Sequence, residues 1–279
     1  MPGSNLDVNP ENATQLYADL LKRSLVNWHY GHMVTRDMKP YSAKRRVIAA
    51  LLKRYGYRAV EPAPLPSAQL TDGVGTYSNG SYTLVGLKRL DNMEECVRSV
   101  VRDGIPGDFL EAGVWQGGTC IFMRGLLKAL GDTTRTVWVA DSFAGLPEPD
   151  VDAYPEDADE YLHEVDELAV SLETVRSNFA RFDLLDEQVR FLEGYFKDTL
   201  YTAPIDRLAI LRMDGDMYQS TWETLDALYP KLSPGGFLIV DDYARKNCAK
   251  AVEDYRRQHG ITEEVITVDW TGVYWRKAG

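Results

Sequence analysis

Two apolar segments of this chain, LAIL and FLIV, each run into a pair of aspartates. Asp214 and Asp216 follow the first segment, and Asp241 and Asp242 follow the second. The carboxyl ends of parallel strands share one edge of an α/β sheet, so we expect these four carboxylates to converge. Carboxylate oxygens suit Mg²⁺ or Ca²⁺ better than zinc. The pattern therefore predicts a divalent cation among the aspartates, and an arginine in that gap would argue against it.

A glycine-containing turn, EAGVWQGGT at 111–119, follows an earlier strand-like run. Its GxxxGG spacing differs from the GxGxxG of dinucleotide-binding turns. Glycines let a ligand approach the backbone, and the following helix offers its amides. A ligand without a pyrophosphate, such as S-adenosylmethionine, suits this turn, with Asp141 accepting hydrogen bonds from its ribose. A purely structural turn is the alternative, but the acid at 141 and the later aspartates favour a cofactor site.

From about residue 107 onward, strand-like runs alternate with amphipathic helical segments, which predicts an α/β fold with a doubly wound, mostly parallel sheet. The predicted strands are 108–114, 136–143, 189–196, 207–214 and 236–243. The predicted helices between and after them are 118–130, 167–182, 219–232 and 246–259. Gly235 and Gly236 are expected to form a turn before the fifth strand. Residues 263–277 predict a C-terminal antiparallel hairpin that turns at Thr271–Gly272.

The first 80 residues differ from the rest. Helix-like apolar spacing covers 12–34 and 41–55, and a stretch rich in Pro and Gly follows. We therefore expect a helical N-terminal extension with a loop over 1–80 and a catalytic domain over 81–279, which opens with a helix near 82–103. The acidic stretch 145–164 is predicted to lie at the ligand edge as a lid, with a disordered surface insertion as the alternative.

Composition limits the possible partners. The 279-residue chain has a formal net charge of −11, which argues against nucleic acid or an anionic membrane as a partner and favours a small molecule. Cys96, Cys120 and Cys248 show no CxxC spacing and are expected to be reduced core thiols. There is no long apolar run or signal-peptide pattern, so we expect a soluble, cytoplasmic protein.

Several segments between residues 83 and 277 resemble the macrocin O-methyltransferase family, which comprises deoxysugar O-methyltransferases of macrolide and aminocoumarin antibiotic biosynthesis. They include GLKRLDN, GDFLEAGVWQGG, VWVADSFAGLP, LRMDGDMYQST, YPKLSPGGFLIVDDY and DWTGVYWR. The resemblance implies a Rossmann-like class I methyltransferase fold with a seven-stranded sheet, S-adenosylmethionine as methyl donor, a required Mg²⁺ and a sugar hydroxyl of a glycoside as acceptor. It also favours a homodimer, with the N-terminal extension shaping the acceptor pocket and the dimer.

Methyl transfer from a sulfonium is an in-line displacement, so the acceptor oxygen must be positioned and deprotonated. In this hypothesis Asp214, Asp241 and Asp242 bind the metal, which favours the alkoxide. Asp216 is the expected general base, and His163 in the predicted lid is its rival. The residues expected in the donor pocket are Thr83, Gly86, Glu111, Gly113, Gly117, Thr119, Asp141 and Ser142. The side chains that could stack on the acceptor are Trp28, His29, Tyr30, Tyr77, Tyr82 and Trp115.

Other roles and functions stay open at this point. Asp241 and Asp242 could cap the next helix or pair with the basic residues at 245 and 246. Asp216 could orient a metal ligand, and Glu111 could pair with a surface arginine. The alternative functions are a nucleotide-dependent oxidoreductase, which the missing GxGxxG disfavours, and a non-catalytic binding protein on a methyltransferase scaffold. A metallohydrolase is disfavoured because the histidines lack ligand spacing.

Overall fold

The computed structural model of the protein describes residues 10–38, 42–73 and 80–279. Its elements up to residue 102, apart from short 3₁₀ turns, are α1 (Pro10–Leu25), β1 (Thr35–Asp37), α2 (Ala43–Arg54), β2 (Val60–Pro62), α3 (Ser67–Asp72) and α4 (Leu87–Arg102). The elements that follow are β3 (Asp108–Ala112), α5 (Gly118–Leu130), β4 (Val137–Asp141), α6 (Leu172–Arg181), β5 (Val189–Glu193), α7 (Phe196–Thr199), β6 (Leu208–Met213), α8 (Tyr218–Leu228), β7 (Leu232–Val240), α9 (Lys246–His259), β8 (Ile266–Thr267) and β9 (Val273–Arg276).

Within the described ranges, seven strands form one sheet in the order β5-β4-β3-β6-β7-β9-β8. The strands from β3 to β7 are parallel, and β9 runs antiparallel to both β7 and β8. The chain first moves outward from β3 to β5 and then returns to the other side of β3. This reversal creates a switch point beside β3 and β6, where α/β sheets bind ligands. The predicted doubly wound, seven-stranded sheet with a terminal hairpin is confirmed.

The central strands are buried on both faces, which explains their continuous apolar sequences. On one face, Phe109 of β3 packs in a core that includes Phe122 of α5 and Phe179 of α6. On the other face, Leu211 of β6 packs in a core that includes Tyr255 of α9. The sheet therefore forms a rigid layer between two cores, and its carboxyl edge holds the groups that project from it.

The N-terminal helices differ in how they pack. Leu21 and Leu25 of α1 are buried in the core that also contains α5. The predicted helix 12–34 ends earlier, at Leu25, and Asn27 two residues later has a φ of 58°, which an α-helix does not accommodate. In contrast, α2 has no buried residue. Tyr77 and the rest of residues 74–79, in the predicted Pro- and Gly-rich loop, lie outside the described residues.

The turn predicted at Gly235 and Gly236 is instead a bulge inside β7. Leu208 pairs with Leu232, and Ile210 pairs with Phe237, so β7 spends five residues where β6 spends two. Gly235 has a φ of 80°, which supplies the left-handed conformation that the bulge requires.

The three cysteines are buried and free, as predicted for core thiols. None of the helices in the described part of the chain is both long enough and apolar enough to cross a bilayer.

Candidate active site

A cavity of about 370 Å³ opens at the carboxyl edge of the sheet, at the switch point. The sheet ladder continues past the strand ends and fixes the backbone around this cavity. The amide of Gly113 donates to the carbonyl of Ala140 over 2.9 Å, and the amide of Asp214 donates to that of Ala112 over 2.8 Å. The amide of Asp241 donates to the carbonyl of Met213 over 2.9 Å. The predicted site residues therefore project from hydrogen-bonded backbone.

The turn after β3 has the geometry of a close backbone approach. Gly113 has a φ of 87°, and a Cβ there would overlap the carbonyl oxygen of Asp214. The amides of Val114 and Phe143 each donate to the Asp141 carboxylate over 2.8 Å. Asp141 thus fixes the turn while also lining the cavity. Because each carboxylate oxygen has two lone pairs, these bonds leave acceptor capacity for a ligand.

Glu111 lies beneath this turn and is almost fully buried. It accepts hydrogen bonds from the hydroxyl of Thr119 and, over 2.8 Å, from the thiol of Cys120. Its oxygen Oε1 also pairs with Arg212, which is itself buried. Burial raises the pKa of Glu111, although Arg212 acts in the opposite direction. Glu111 therefore pairs with a buried arginine and not with the surface arginine considered as an alternative.

Three carboxylates share the floor of the cavity. One oxygen each from Asp214, Asp216 and Asp242 lie within 4.8 Å of one another. Burial, followed by neighbouring carboxylates, raises the pKa of Asp214 to about 8. Burial also raises the pKa of Asp216 to about 6, although Arg245 opposes it, and burial and the other two aspartates raise that of Asp242. Arg212 and Arg245 each reach one of these carboxylates, so two positive charges face three acidic groups, and three hard oxygen donors fit a divalent cation such as Mg²⁺.

Asp241 is engaged differently from these three aspartates. Its oxygen Oδ1 pairs with Arg212, and its Oδ2 accepts from Nη1 of Arg89 over 2.5 Å. Burial would raise the pKa of Asp241, but the two guanidinium groups outweigh it and hold the pKa below its usual value. Arg212 thus occupies the gap between Asp214 and Asp241, the arrangement that argues against a cation between these two carboxylates. All four aspartates line the cavity. The three whose oxygens lie close enough to share a metal ion are Asp214, Asp216 and Asp242, and Asp241 is not among them.

The segment after β4, predicted as a lid, is ordered and docked beside the acidic cluster. The buried Asp157 accepts from the amides of Tyr218 and Gln219, at the start of α8, over 2.8 and 2.9 Å. Glu160 pairs with Arg245, whose Nε lies 3.5 Å from Oδ1 of Asp216. This segment is therefore joined to the acidic cluster through one arginine.

The structure brings most of the predicted donor residues to the cavity. Those that line it are Thr83, Glu111, Gly113, Thr119, Asp141 and Ser142. Gly86 and Gly117 lie outside the lining, where Gly86 contacts the backbone at Thr71 and Gly117 faces Val175.

The two candidate bases are separated. Asp216 lines the cavity, whereas His163 lies outside the lining, with its Nε2 at 3.9 Å from Glu164. Of the aromatic candidates in the described ranges, Trp115 lines the cavity, and Trp28, His29, Tyr30 and Tyr82 do not.

Arg212, Arg89 and Trp270 were not predicted from the sequence as residues of the site. Arg212 could have been predicted from its spacing. Residues two apart on a strand share a face, and Arg212 precedes Asp214 by two. No local pattern points to Arg89, whose Nε bonds Asp269 over 2.7 Å across 180 positions of sequence.

The strand order, the antiparallel strand β9 and the glycine turn that opens on the cavity define a class I methyltransferase fold. The model of the macrocin O-methyltransferase (TylF) family matches residues 14–277. The chain belongs to this family and is an S-adenosylmethionine-dependent O-methyltransferase, which confirms the enzyme class predicted from the sequence.

Two characterised relatives are similar over much of their length. Mycinamicin III 3''-O-methyltransferase of Micromonospora griseorubida is 46% identical over 274 residues, which cover 97% of this chain and 100% of the relative. Demethyldecarbamoylnovobiocin O-methyltransferase of Streptomyces niveus is 56% identical over 199 residues, which cover 71% of this chain and 76% of the relative. Among solved structures, the O-methyltransferase NovP is 44% identical with a TM-score of 0.82 and covers 95% of this chain and 100% of its own.

Proposed function

We propose that this protein transfers the methyl group of S-adenosylmethionine to a hydroxyl of a deoxysugar on an antibiotic-type glycoside. The observation that carries the proposal is that the donor turn and the acidic cluster open on one cavity. The relatives support the acceptor class, since two of them are named for methylating mycinamicin III and demethyldecarbamoylnovobiocin.

The reaction requires the sulfonium methyl and the acceptor oxygen to be in line. Gly113 places the donor turn against the backbone of Asp214, so that the methionine end of the donor would lie beside the acidic cluster. Asp141 and Ser142, at the end of β4, would bind the ribose. An oriented pair of reactants of this kind can recover about 7–11 kcal/mol of the barrier.

Asp214 and Asp242 are the proposed ligands of a divalent cation, with Mg²⁺ as the expected ion. When bound, such an ion lowers the pKa of a coordinated hydroxyl and fixes its position. Asp241, the third ligand expected from the sequence, would have to release Arg212 or Arg89 before it could coordinate. In the present geometry Asp241 instead forms ion pairs with both arginines.

Asp216 is the proposed general base. It lines the cavity, whereas His163 does not, and Arg245 at 3.5 Å orients its carboxylate. The acceptor hydroxyl gives its proton to Asp216 as its oxygen forms a bond to the methyl carbon and the carbon–sulfur bond breaks. The products are the methyl ether, S-adenosylhomocysteine and a protonated Asp216.

The remaining expectations also stand as proposals. We assign residues 1–80 to acceptor binding and to contacts in a homodimer, and 81–279 to the methyltransferase domain. The exposed apolar residues Val47, Ile48 and Leu51 on α2 support self-association, since they have no cover within the described chain. A cytoplasmic location is consistent with three free cysteines.

The test is methyl transfer by the purified full chain to mycinamicin III and to demethyldecarbamoylnovobiocin, with S-adenosylmethionine and Mg²⁺. We expect a mass increase of one methyl group on at least one acceptor and an equal amount of S-adenosylhomocysteine. Absence of transfer to both acceptors, with S-adenosylhomocysteine still bound by the protein, would contradict the proposed acceptor class.

A further inference from the structure

Trp270 stands at the tip of the connection between β8 and β9 and lines the cavity. It is 58% exposed, although it is one of the largest apolar side chains of the protein. Its position relative to the acids is fixed through its neighbour, because the hydroxyl of Thr271 donates to the carbonyl of Asp241 over 2.9 Å. Trp270 is therefore an open aromatic surface beside the acidic cluster.

The indole ring is held in place despite its exposure. Its Nε1 donates to the carbonyl of Asp72 over 2.9 Å. The guanidinium carbon of Arg89 lies 5.8 Å from the ring centroid, and Arg89 is itself held by Asp241 and Asp269. A ring whose polar atom is already bonded and whose position is fixed loses little freedom when a ligand stacks on it.

The order of the strands places Trp270 on the acceptor side. Along the carboxyl edge, the donor turn belongs to β3, and Asp141 belongs to β4. The aspartates follow on β6 and β7, and β9 begins next, with Val273 paired to Val240 at the end of β7. Trp270 therefore lies across the acidic cluster from the donor turn. In-line displacement needs the acceptor on that side, because its oxygen must approach the methyl from opposite the sulfur.

We infer that Trp270 is the platform on which the sugar ring of the acceptor stacks. This inference rests on the proposed function and deepens it. The C–H groups of a deoxyhexose form an apolar face, which covers an indole ring well, while its hydroxyls project from the ring edge. Stacking on Trp270 would bury that face and turn the ring edge toward Asp214, Asp216 and Asp242.

The experiment compares Trp270→Ala and Trp270→Phe with the wild-type chain, using whichever of the two acceptors above the wild type methylates. Tyr201→Ala is the matched control, since Tyr201 is 47% exposed and lies outside the cavity lining. The measurements are the KM of each substrate, the affinity for S-adenosylhomocysteine by calorimetry, and the midpoint of thermal unfolding.

We expect Trp270→Ala to raise the KM of the acceptor about tenfold or more, because the apolar face of the sugar loses the ring that covers it. The affinity for S-adenosylhomocysteine should stay at the wild-type value, while the unfolding midpoint should fall by no more than about 5 °C from loss of the hydrogen bond to Asp72. Trp270→Phe, which keeps a ring, should keep the KM of the acceptor within about threefold of wild type, and Tyr201→Ala should change neither the KM values nor the affinity for S-adenosylhomocysteine.

An unchanged acceptor KM in Trp270→Ala would overturn the inference, and so would a loss of S-adenosylhomocysteine affinity that equals the change for the acceptor. Both results require an active wild-type enzyme. They are therefore distinct from a failure of the proposed function, in which the wild type itself methylates neither acceptor.

Discussion

Arg212 of β6 and Asp214, which directly follows this strand, are joined by a 3.0 Å ion pair between Nη1 and Oδ2. The same guanidinium also binds Glu111 and Asp241. Arg212 thereby divides the carboxylates of the site into two groups. Glu111 and Asp241 are bound by this arginine within the core, whereas Asp216 and Asp242 do not contact it and lie with Asp214 in the three-carboxylate cluster.

Replacing Arg212 with Met should destabilise the fold strongly, because it leaves Glu111 and Asp241 buried without this partner. Breaking a buried pair in this way costs about 3–5 kcal/mol. The measurement is the free energy of unfolding from urea titration. Arg102→Met is the control, since the Arg102 side chain is 72% exposed and its change should stay within about 0.5 kcal/mol. Equal effects of the two substitutions would contradict a central role for Arg212.

Substitution of single aspartates should separate metal ligands from the base. We expect Asp242→Asn to weaken Mn²⁺ binding at least tenfold in calorimetry, because it removes a proposed ligand, and Asp241→Asn to leave that affinity largely unchanged. Asp216→Asn should retain Mn²⁺ affinity while kcat falls by about 10²–10⁴, the usual contribution of a general base. A loss of Mn²⁺ binding in Asp216→Asn would reassign Asp216 as a ligand.

The stability of the metal-free protein should fall as the pH rises from about 4 to about 8. Burial, with repulsion from neighbouring carboxylates, raises the pKa of Asp214 to about 8 and that of Asp216 to about 6, from the usual value of 3.8. Between these limits the folded state binds more protons than the unfolded state, so the free energy of unfolding decreases with pH.

This dependence can be measured as the midpoint of thermal unfolding in EDTA, which we expect to be at least about 3 °C lower at pH 8 than at pH 6. Added Mg²⁺ should remove most of the difference. Asp242→Asn should also reduce it, because the raised pKa of Asp242 itself no longer contributes. A pH dependence that is identical in Asp242→Asn and wild type would show that it arises elsewhere.

Gly113→Ala should be more damaging than a substitution at another glycine of similar conformation. Gly131 has a φ of 73° with open space at the Cβ position, so Gly131→Ala should cost about 1–2 kcal/mol from the left-handed backbone alone. At Gly113 the added Cβ also overlaps the carbonyl of Asp214, which should add about 1–3 kcal/mol. Urea titration compares the two variants, and equal costs would mean that the close approach is not required.

The sequence predicted the strands well because their burial on both faces leaves an unambiguous apolar run, as in LAIL at 208–211. It failed at Gly235 and Gly236, since a bulge and a turn need the same left-handed glycine. It also extended the first helix past Leu25, because apolar residues continue at helical spacing while the backbone reverses at Asn27.

The aspartate cluster was predictable because both pairs follow strands that end at one edge. The partition of the cluster was not, since it depends on side-chain pairing across the fold. Arg89 meets Asp241 and Asp269 only after β7 and β9 have come together beside α4. The sequence predicted the hairpin that contains Trp270, but the position of this side chain at the cavity depends on the pairing of β9 with β7.

The contact between Gly113 and the carbonyl of Asp214 separates the placement of the methyl donor from the choice of the acceptor. It fixes the turn proposed to hold the methyl donor by main-chain packing, whereas the acidic groups beside it are side chains. The hairpin tip at Trp270 and the segment after β4 line the cavity around this turn. Libraries that vary residues on these two segments can therefore be screened for new glycosides without changing the turn that places the methyl donor.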